Sequence, residues 1–179
     1  MDKEKIILVD EHDRETGIFD KLEAHRKGLL HRAFSVFIIN SKGEHLLQKR
    51  ATHKYHSPGL WSNACCSHHI AGTDFTVYIN RRLNEEIGLS DQTITKLFST
   101  IYKLDCGNKL IEHEYDHVFI GRTDDQPHPN PSEVAELKYL SAGEIDDLLS
   151  SQPEIFTEWF KLLYPKVIEK LALDHSIPG

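Results

Sequence analysis

Cys65-Cys66-Ser67-His68-His69 and Glu112-His113-Glu114 are the two stretches that most narrow what this chain can build. The first sets a thiol two residues from an imidazole, and the second sets two carboxylates two residues apart. Side chains alternate between the faces of a β-strand, so Cys66 and His68 would share one face, and Glu112 and Glu114 another. Two neighbouring strands can then furnish one pocket with a metal site and a proton-transfer pair. By the same alternation Cys65 and His113 should point away from it.

At 179 residues the chain has the length of one domain with a sizeable core, expected to span 1–179. Its net charge of −7 offers no overall footprint for nucleic acid or an anionic membrane surface. No apolar run approaches the roughly 20 residues of a spanning helix. The opening Met1-Asp2-Lys3-Glu4-Lys5 lacks the apolar region of a signal peptide. Three cysteines, two of them adjacent, fit a reducing cytoplasm better than a disulfide framework. Twelve histidines justify a search for metal ligands.

The apolar pattern alternates short strands with few helices. Ile6–Val9 and His31–Asn40 read as strands, and the Asn40-Ser41-Lys42-Gly43 turn leads into a strand over His45–Arg50, giving a hairpin. Ser57-Pro58-Gly59 marks a loop, followed by strand-like residues through Cys66 and His68. Asp74 is placed to cap a helix running to Ile87, with Gly88 at its C′ position. Leu97–Leu104 and Lys109–Gly121 form a second hairpin. Glu136–Leu140 reads as a short strand, and Ser141 with Glu144 forms a capping box. Pro153 opens a final amphipathic helix carrying Phe156, Trp159, Phe160 and Leu163. Hairpins outnumber βαβ units, so the expected class is α+β.

Gly72–Leu89, ending Arg81-Arg82-Leu83-Asn84-Glu85-Glu86-Ile87-Gly88-Leu89, resembles a degenerate Nudix box. In that alignment Gly72 is the opening glycine, Tyr78 stands at the first Glu, and Arg82 stands at the Glu that follows Arg. Full boxes cluster carboxylates that hold Mg²⁺ on a diphosphate for hydrolysis. Here Glu86 remains for a diphosphate-bound Mg²⁺, while Arg82 at i−4 can meet phosphate oxygens. Such a helix suits gripping a diphosphate rather than cleaving it.

Together with Trp61-Ser62-Asn63-Ala64-Cys65-Cys66-Ser67-His68 and Glu112-His113-Glu114, in this order and spacing, the box resembles the type I isopentenyl-diphosphate Δ-isomerases. The resemblance runs from about Lys21 to Trp159. It implies a Nudix fold, with mixed and antiparallel β-sheets sandwiched by helices. The implied activity is conversion of isopentenyl diphosphate to dimethylallyl diphosphate in isoprenoid biosynthesis, with a Nudix-type diphosphate hydrolase as the alternative. A monomeric, cytoplasmic enzyme is expected, acting on a small molecule with no nucleic acid or membrane partner. The Cys-Cys form of the strand looks more like the eukaryotic branch of the family.

Carried over residue by residue, the resemblance implies a metal site of His25, His31, His68, Glu112 and Glu114. Imidazole and carboxylate donors suit Zn²⁺, Mn²⁺ or Mg²⁺. It implies Cys66 and Glu114 as the proton-transfer pair, with Cys66 acting as thiolate and Tyr102 hydrogen-bonding Glu114. It implies Lys21, Arg50, Lys54 and Arg82 as diphosphate contacts and Trp159 as the cover over the hydrocarbon end. Cys65 and Cys106 are expected to be small buried hydrophobes. His69 stands where the family has proline and is expected to be structural, with a competing ligand role as the alternative.

Overall fold

The computed structural model describes residues 4–54 and 56–173. The N-terminal reading of Met1–Lys5 and the expected span 1–179 therefore extend partly outside the described residues. The strands are β1 Lys5–Val9, β2 Glu15–Asp20, β3 His31–Ile39, β4 His45–Arg50, β5 Trp61–Asn63, β6 Cys65–His68, β7 Ile94–Asp105, β8 Ile111–Arg122 and β9 Val134–Leu140. The helices are α1 Lys21–Lys27, α2 Phe75–Ile87, α3 Ala142–Ser151 and α4 Glu158–Leu173. The strands form one curled mixed sheet in the order β2-β1-β3-β4-β5, with β6 and β8 also on β3, β7 on β8 and β9 on β4.

Strand β3 is the axis. It pairs in parallel with β8 from His31↔Glu114 to Ile39↔Arg122, and antiparallel with β6 from Ala33↔His68 to Val36↔Cys65. Both faces of β3 are covered, which explains its nearly continuous apolar run. Phe34, Val36 and Ile38 pack with Cys65 and with Tyr78, Ile79, Leu83 and Ile87 of α2. Phe37 and Ile39 pack with Val118 and Ile120 of β8 and with Trp159, Phe160, Leu163 and Tyr164 of α4. That second face changes character along its length. The later residues of β3 and β8 build the α4 core, whereas the earlier ones, His31, Ser35, Glu112, Glu114 and Asp116, are buried and polar. The site lies where the apolar packing of this face stops.

Local sequence sets the ends of the elements as expected. Asp74 accepts the Val77 amide at 3.0 Å at the start of α2, and Gly88 ends it with φ of 68°. Ser141 and Glu144 complete their capping box at the start of α3. Two expectations need correction. β3 and β4 follow one another through the Asn40–Gly43 turn but share one registered pair, Ile39↔His45; β4 instead pairs along its length with β9 and, through Leu47–Lys49, with β5. Pro153 opens a short 3₁₀ turn, Pro153–Ile155, and not the final helix. Phe156 is extended and bridges to Trp61, and α4 begins at Glu158 after the Thr157 hydroxyl accepts the Phe160 amide at 3.3 Å. Strand β2 and helix α1 were not expected from the pattern: β2 is mostly exposed, and α1 has only 7 residues.

Candidate active site

Helix α1 aims His25 into the interior. Asp20 caps it by accepting the Glu23 amide, and Gly28 ends it in the left-handed region with φ of 61°. A side chain at Gly28 would meet Ile111 at 3.2 Å, so the tight exit keeps α1 against β8. His25 Nδ1 donates to the Lys21 carbonyl at 2.6 Å, and His31 Nδ1 donates to the Leu29 carbonyl at 2.8 Å. These bonds fix both tautomers and turn both Nε2 atoms inward.

The rings of His25, His31 and His68 form a triangle with centroids 4.8, 4.8 and 4.9 Å apart. Two carboxylates close it. His25 Nε2 lies 3.1 Å from Glu112 Oε2, and His68 Nε2 lies 2.9 Å from Glu114 Oε1. One donor atom from each of the five residues falls within 4.8 Å of every other. The buried Nε2 of His31 has no hydrogen-bond partner among the described residues and sits 3.7 Å from Glu114 Oε1. An orphaned imidazole nitrogen facing two carboxylates and two more imidazoles is the arrangement expected of a divalent-metal site.

Charge balance in the protein alone is strained. Burial disfavours ionisation of Glu114, and the Glu112 charge raises its pKa further. Glu112 is held well below the usual carboxylate range because, although burial opposes ionisation, His25 and His68 hydrogen-bond it. Burial lowers the pKa of His25, but the hydrogen bond and charge of Glu112 outweigh it and leave a net rise. Beneath the pair, Asp116 is fully buried, accepts Ser35 Oγ at 2.9 Å, and is driven toward its neutral form by burial and then by Glu114.

Glu114 faces two groups that handle protons. Tyr102 lies directly opposite it on β7 and donates its hydroxyl to Oε2. Cys66, on β6, lines the same cavity. Burial pushes the Cys66 thiol up to about 12, opposed by the Arg50 charge. Cys65 turns the other way and is fully buried with α2 residues.

A cavity opens over these groups. Lys21, Arg50, Lys54 and Arg82 all line it, as do Glu86 and Trp159. Glu86 accepts Arg82 Nη2 at 2.6 Å and Gln48 Nε2 at 3.1 Å. Lys21 is paired with Glu4 at 2.8 Å and Lys54 with Glu133. The Arg50 guanidinium lies 5.3 Å over the Trp159 ring, and Trp159 Nε1 donates to Ser62 Oγ at 2.8 Å. Four cations and the indole line one cavity, with Arg50 against the Trp159 ring, so a small molecule with an anionic head and an apolar part fits it.

A NUDIX domain family model matches residues 29–160. A curated isopentenyl-diphosphate Delta-isomerase of Pectobacterium atrosepticum is 48% identical over 163 residues, covering 91% of this chain and 90% of the relative. Isopentenyl-diphosphate Delta-isomerase 2 of Photorhabdus laumondii is 47% identical, covering 94% and 93%. The chain belongs to the isopentenyl-diphosphate Delta-isomerases. Among solved structures, a Deinococcus radiodurans protein superposes with a TM-score of 0.76 at 19% identity, covering 91% of this chain and 98% of that one, a likeness of fold alone. The isomerase relatives named here are bacterial, whereas the Cys-Cys strand looked more like the eukaryotic branch.

Within this isomerase fold one residue assignment changes. The Nudix pattern G-x5-E-x7-R-E-U-x-E-E-x-G-U, counted back from Gly88, places its first Gly and first Glu at Ser67 and Thr73. Gly72 and Tyr78 are therefore not box positions. Tyr78 is a core residue packed edge-on to Phe34 at 6.1 Å, with the Arg81 guanidinium 4.7 Å over its ring. The carboxylate deficit remains, at Thr73 and Arg82. His69 stays out of the metal cluster: its Nε2 bonds the Thr73 carbonyl at 2.8 Å and its ring stacks on Phe75.

His56 is the site residue that sequence reasoning missed. It lies in the loop before β5, lines the cavity, approaches Glu112 Oε1 at 3.3 Å and meets the Trp159 ring edge-on at 5.8 Å. Its carbonyl accepts Arg50 Nη2 at 3.3 Å. A loop histidine belongs to no periodic pattern, so only the turn-rich Lys54–Trp61 stretch between two candidate site residues could have drawn attention to it. Gln48 and Asp116 were missed too, because each reads as an ordinary strand polar residue.

Proposed function

We propose that the protein isomerises isopentenyl diphosphate to dimethylallyl diphosphate with Cys66 and Glu114 as the proton-transfer pair. The observation that supports this most is the placement of both groups on one cavity, with Tyr102 on Glu114 and four cations lining the same cavity. A proton adds at the terminal alkene carbon and another leaves the carbon adjacent to the oxygen-bearing one. Glu114, hydrogen-bonded by Tyr102, delivers the first. Cys66 removes the second as thiolate. Arg50 is the cation that lowers the Cys66 pKa.

Trp159 covers the hydrocarbon and excludes water from the cationic transition state, with cation–π attraction worth ~0.5–2 kcal/mol. Lys21, Arg50, Lys54 and Arg82 hold the diphosphate. His25, His31, His68, Glu112 and Glu114 would hold a divalent ion, Mn²⁺, Zn²⁺ or Mg²⁺, whose charge would offset the clustered carboxylates. Glu86 would hold a second, diphosphate-bound Mg²⁺; one pocket carboxylate plus phosphate oxygens is a usual Mg²⁺ environment. We further propose a monomer working in the cytoplasm as one domain. No helix among the described residues is long and apolar enough to cross a membrane.

Hydrolysis is the weaker reading because Thr73 and Arg82 occupy box carboxylate positions and Arg82 is tied to Glu86. Purified protein incubated with isopentenyl diphosphate and Mg²⁺ in heavy water, followed by NMR, separates the two. Deuterated dimethylallyl diphosphate is the expected product. Release of phosphate or diphosphate without it would refute the isomerase reading.

A further inference from the structure

The carboxylate of Glu112 is divided between two environments. Its Oε2 faces the triad of imidazoles, 3.1 Å from His25 Nε2 and 3.6 Å from His68 Nε2. Its Oε1 faces outward, 3.3 Å from His56 Nε2. Cys106 is close by: one donor atom each of His56, Cys106 and Glu112 fall within 4.8 Å of one another. None of the roles assigned above uses Cys106.

We propose that Cys106, His56 and Oε1 of Glu112 form a second divalent-metal site that takes a thiophilic cation such as Zn²⁺ or Cd²⁺. One thiolate, one imidazole and one carboxylate are a recurrent zinc donor set, and three protein ligands leave a position open. His56 and Glu112 both line the cavity. Glu112 bridges the two sites, one oxygen to each.

Cys106 is held in place by its own turn. It follows β7, its amide bonds the Leu110 carbonyl at 3.0 Å, and the Leu110 amide bonds the Gly107 carbonyl at 2.9 Å. Gly107, Asn108 and Lys109 all have positive φ, of 77°, 51° and 61°, which closes the turn tightly. The Glu112 backbone amide hydrogen-bonds the sulfur. His56 is tethered through its carbonyl to Arg50 and through its ring to Trp159. Binding exchanges the Sγ proton, released to solvent, for a metal–sulfur bond, with no change of oxidation state. The thiolate and the shared Glu112 carboxylate offset part of the ion's charge.

The donor sets differ, so they can be told apart in the unmodified protein. Zinc is added to metal-free protein in steps and followed by X-ray absorption. The first equivalent is expected to show nitrogen and oxygen ligands only, and the second to add one sulfur at about 2.3 Å. Failure of the first equivalent to bind would count against the His/Glu centre. A second equivalent without a sulfur shell would overturn the Cys106 site alone. Cys106→Ser is expected to bind one equivalent where the wild type binds two, and His56→Ala likewise. Excess zinc should inhibit the wild type and spare Cys106→Ser. Two equivalents and an unchanged sulfur signal in Cys106→Ser would assign the sulfur elsewhere and refute the proposal.

Discussion

Tyr102 and Glu114 stand directly opposite each other on β7 and β8, with the tyrosine hydroxyl donated to the glutamate. Glu114 also belongs to the metal cluster and faces the cavity. One side chain thus joins metal ligation to proton transfer, and Tyr102 sets which of its oxygens does which. Tyr102→Phe removes the donor from a buried carboxylate, a loss of about 1–3 kcal/mol. The expected outcome is a fall in kcat on the order of 10- to 100-fold with KM nearly unchanged. Steady-state kinetics and a thermal melt of the same variant check it.

Cys66 and Cys65 are neighbours with opposite fates. Cys66→Ala should lower turnover on the order of 100- to 10,000-fold while the protein melts normally. Cys65→Ala should keep turnover and lose about 1 kcal/mol of stability through a small cavity under α2. Equal loss of activity in both would contradict the face assignment.

Metal removal should destabilise the fold. Without a cation, Glu114 is buried beside the Glu112 charge, and His31 Nε2 has no hydrogen-bond partner among the described residues. A divalent ion at 100 times its dissociation constant stabilises by about 2.7 kcal/mol. Chelated protein should therefore melt several degrees lower, recovering on addition of Mn²⁺ or Zn²⁺. Glu112→Gln should largely erase that recovery, as read by calorimetry.

His45 makes an acid-sensitive contribution far from the chemistry. It is buried at the start of β4 with its ring edge-on to Tyr164 at 5.4 Å. Burial, with the Arg122 charge adding, lowers its pKa from 6.5 to about 4. The unfolded chain therefore takes up this proton first, and stability falls as pH drops from about 6.5 toward 4. The loss attributable to His45 is on the order of 3 kcal/mol. His45→Phe should show a shallower decline over that window, measured as denaturation midpoints at several pH values.

The chemistry was legible wherever residues obey a local period. Cys66 with His68, Glu112 with Glu114, and Arg82 with Glu86 are fixed by strand and helix spacing, and each pair lies together as expected. Capping residues likewise located α2 and α3. Longer-range features were not legible. The β3–β4 hairpin is limited to the Ile39↔His45 pair because β6 and β8 pair with β3 and β5 with β4, and final-helix onset shifts because Phe156 is drawn out to Trp61.

The sequence by itself determined which groups share a face, because alternation along a strand follows from backbone geometry alone. It also set the donor chemistry, thiol, imidazoles and carboxylates, and the cation Arg82 where a box carboxylate would stand. Only the tertiary structure decided how faces meet. The parallel register of β3 with β8 brings His31 beside Glu114, and the antiparallel register with β6 brings His68 into the same triangle. It also placed His56, from a loop with no pattern, between Glu112 and Trp159. Such pairings depend on burial and strand register across distant segments, which no local spacing encodes.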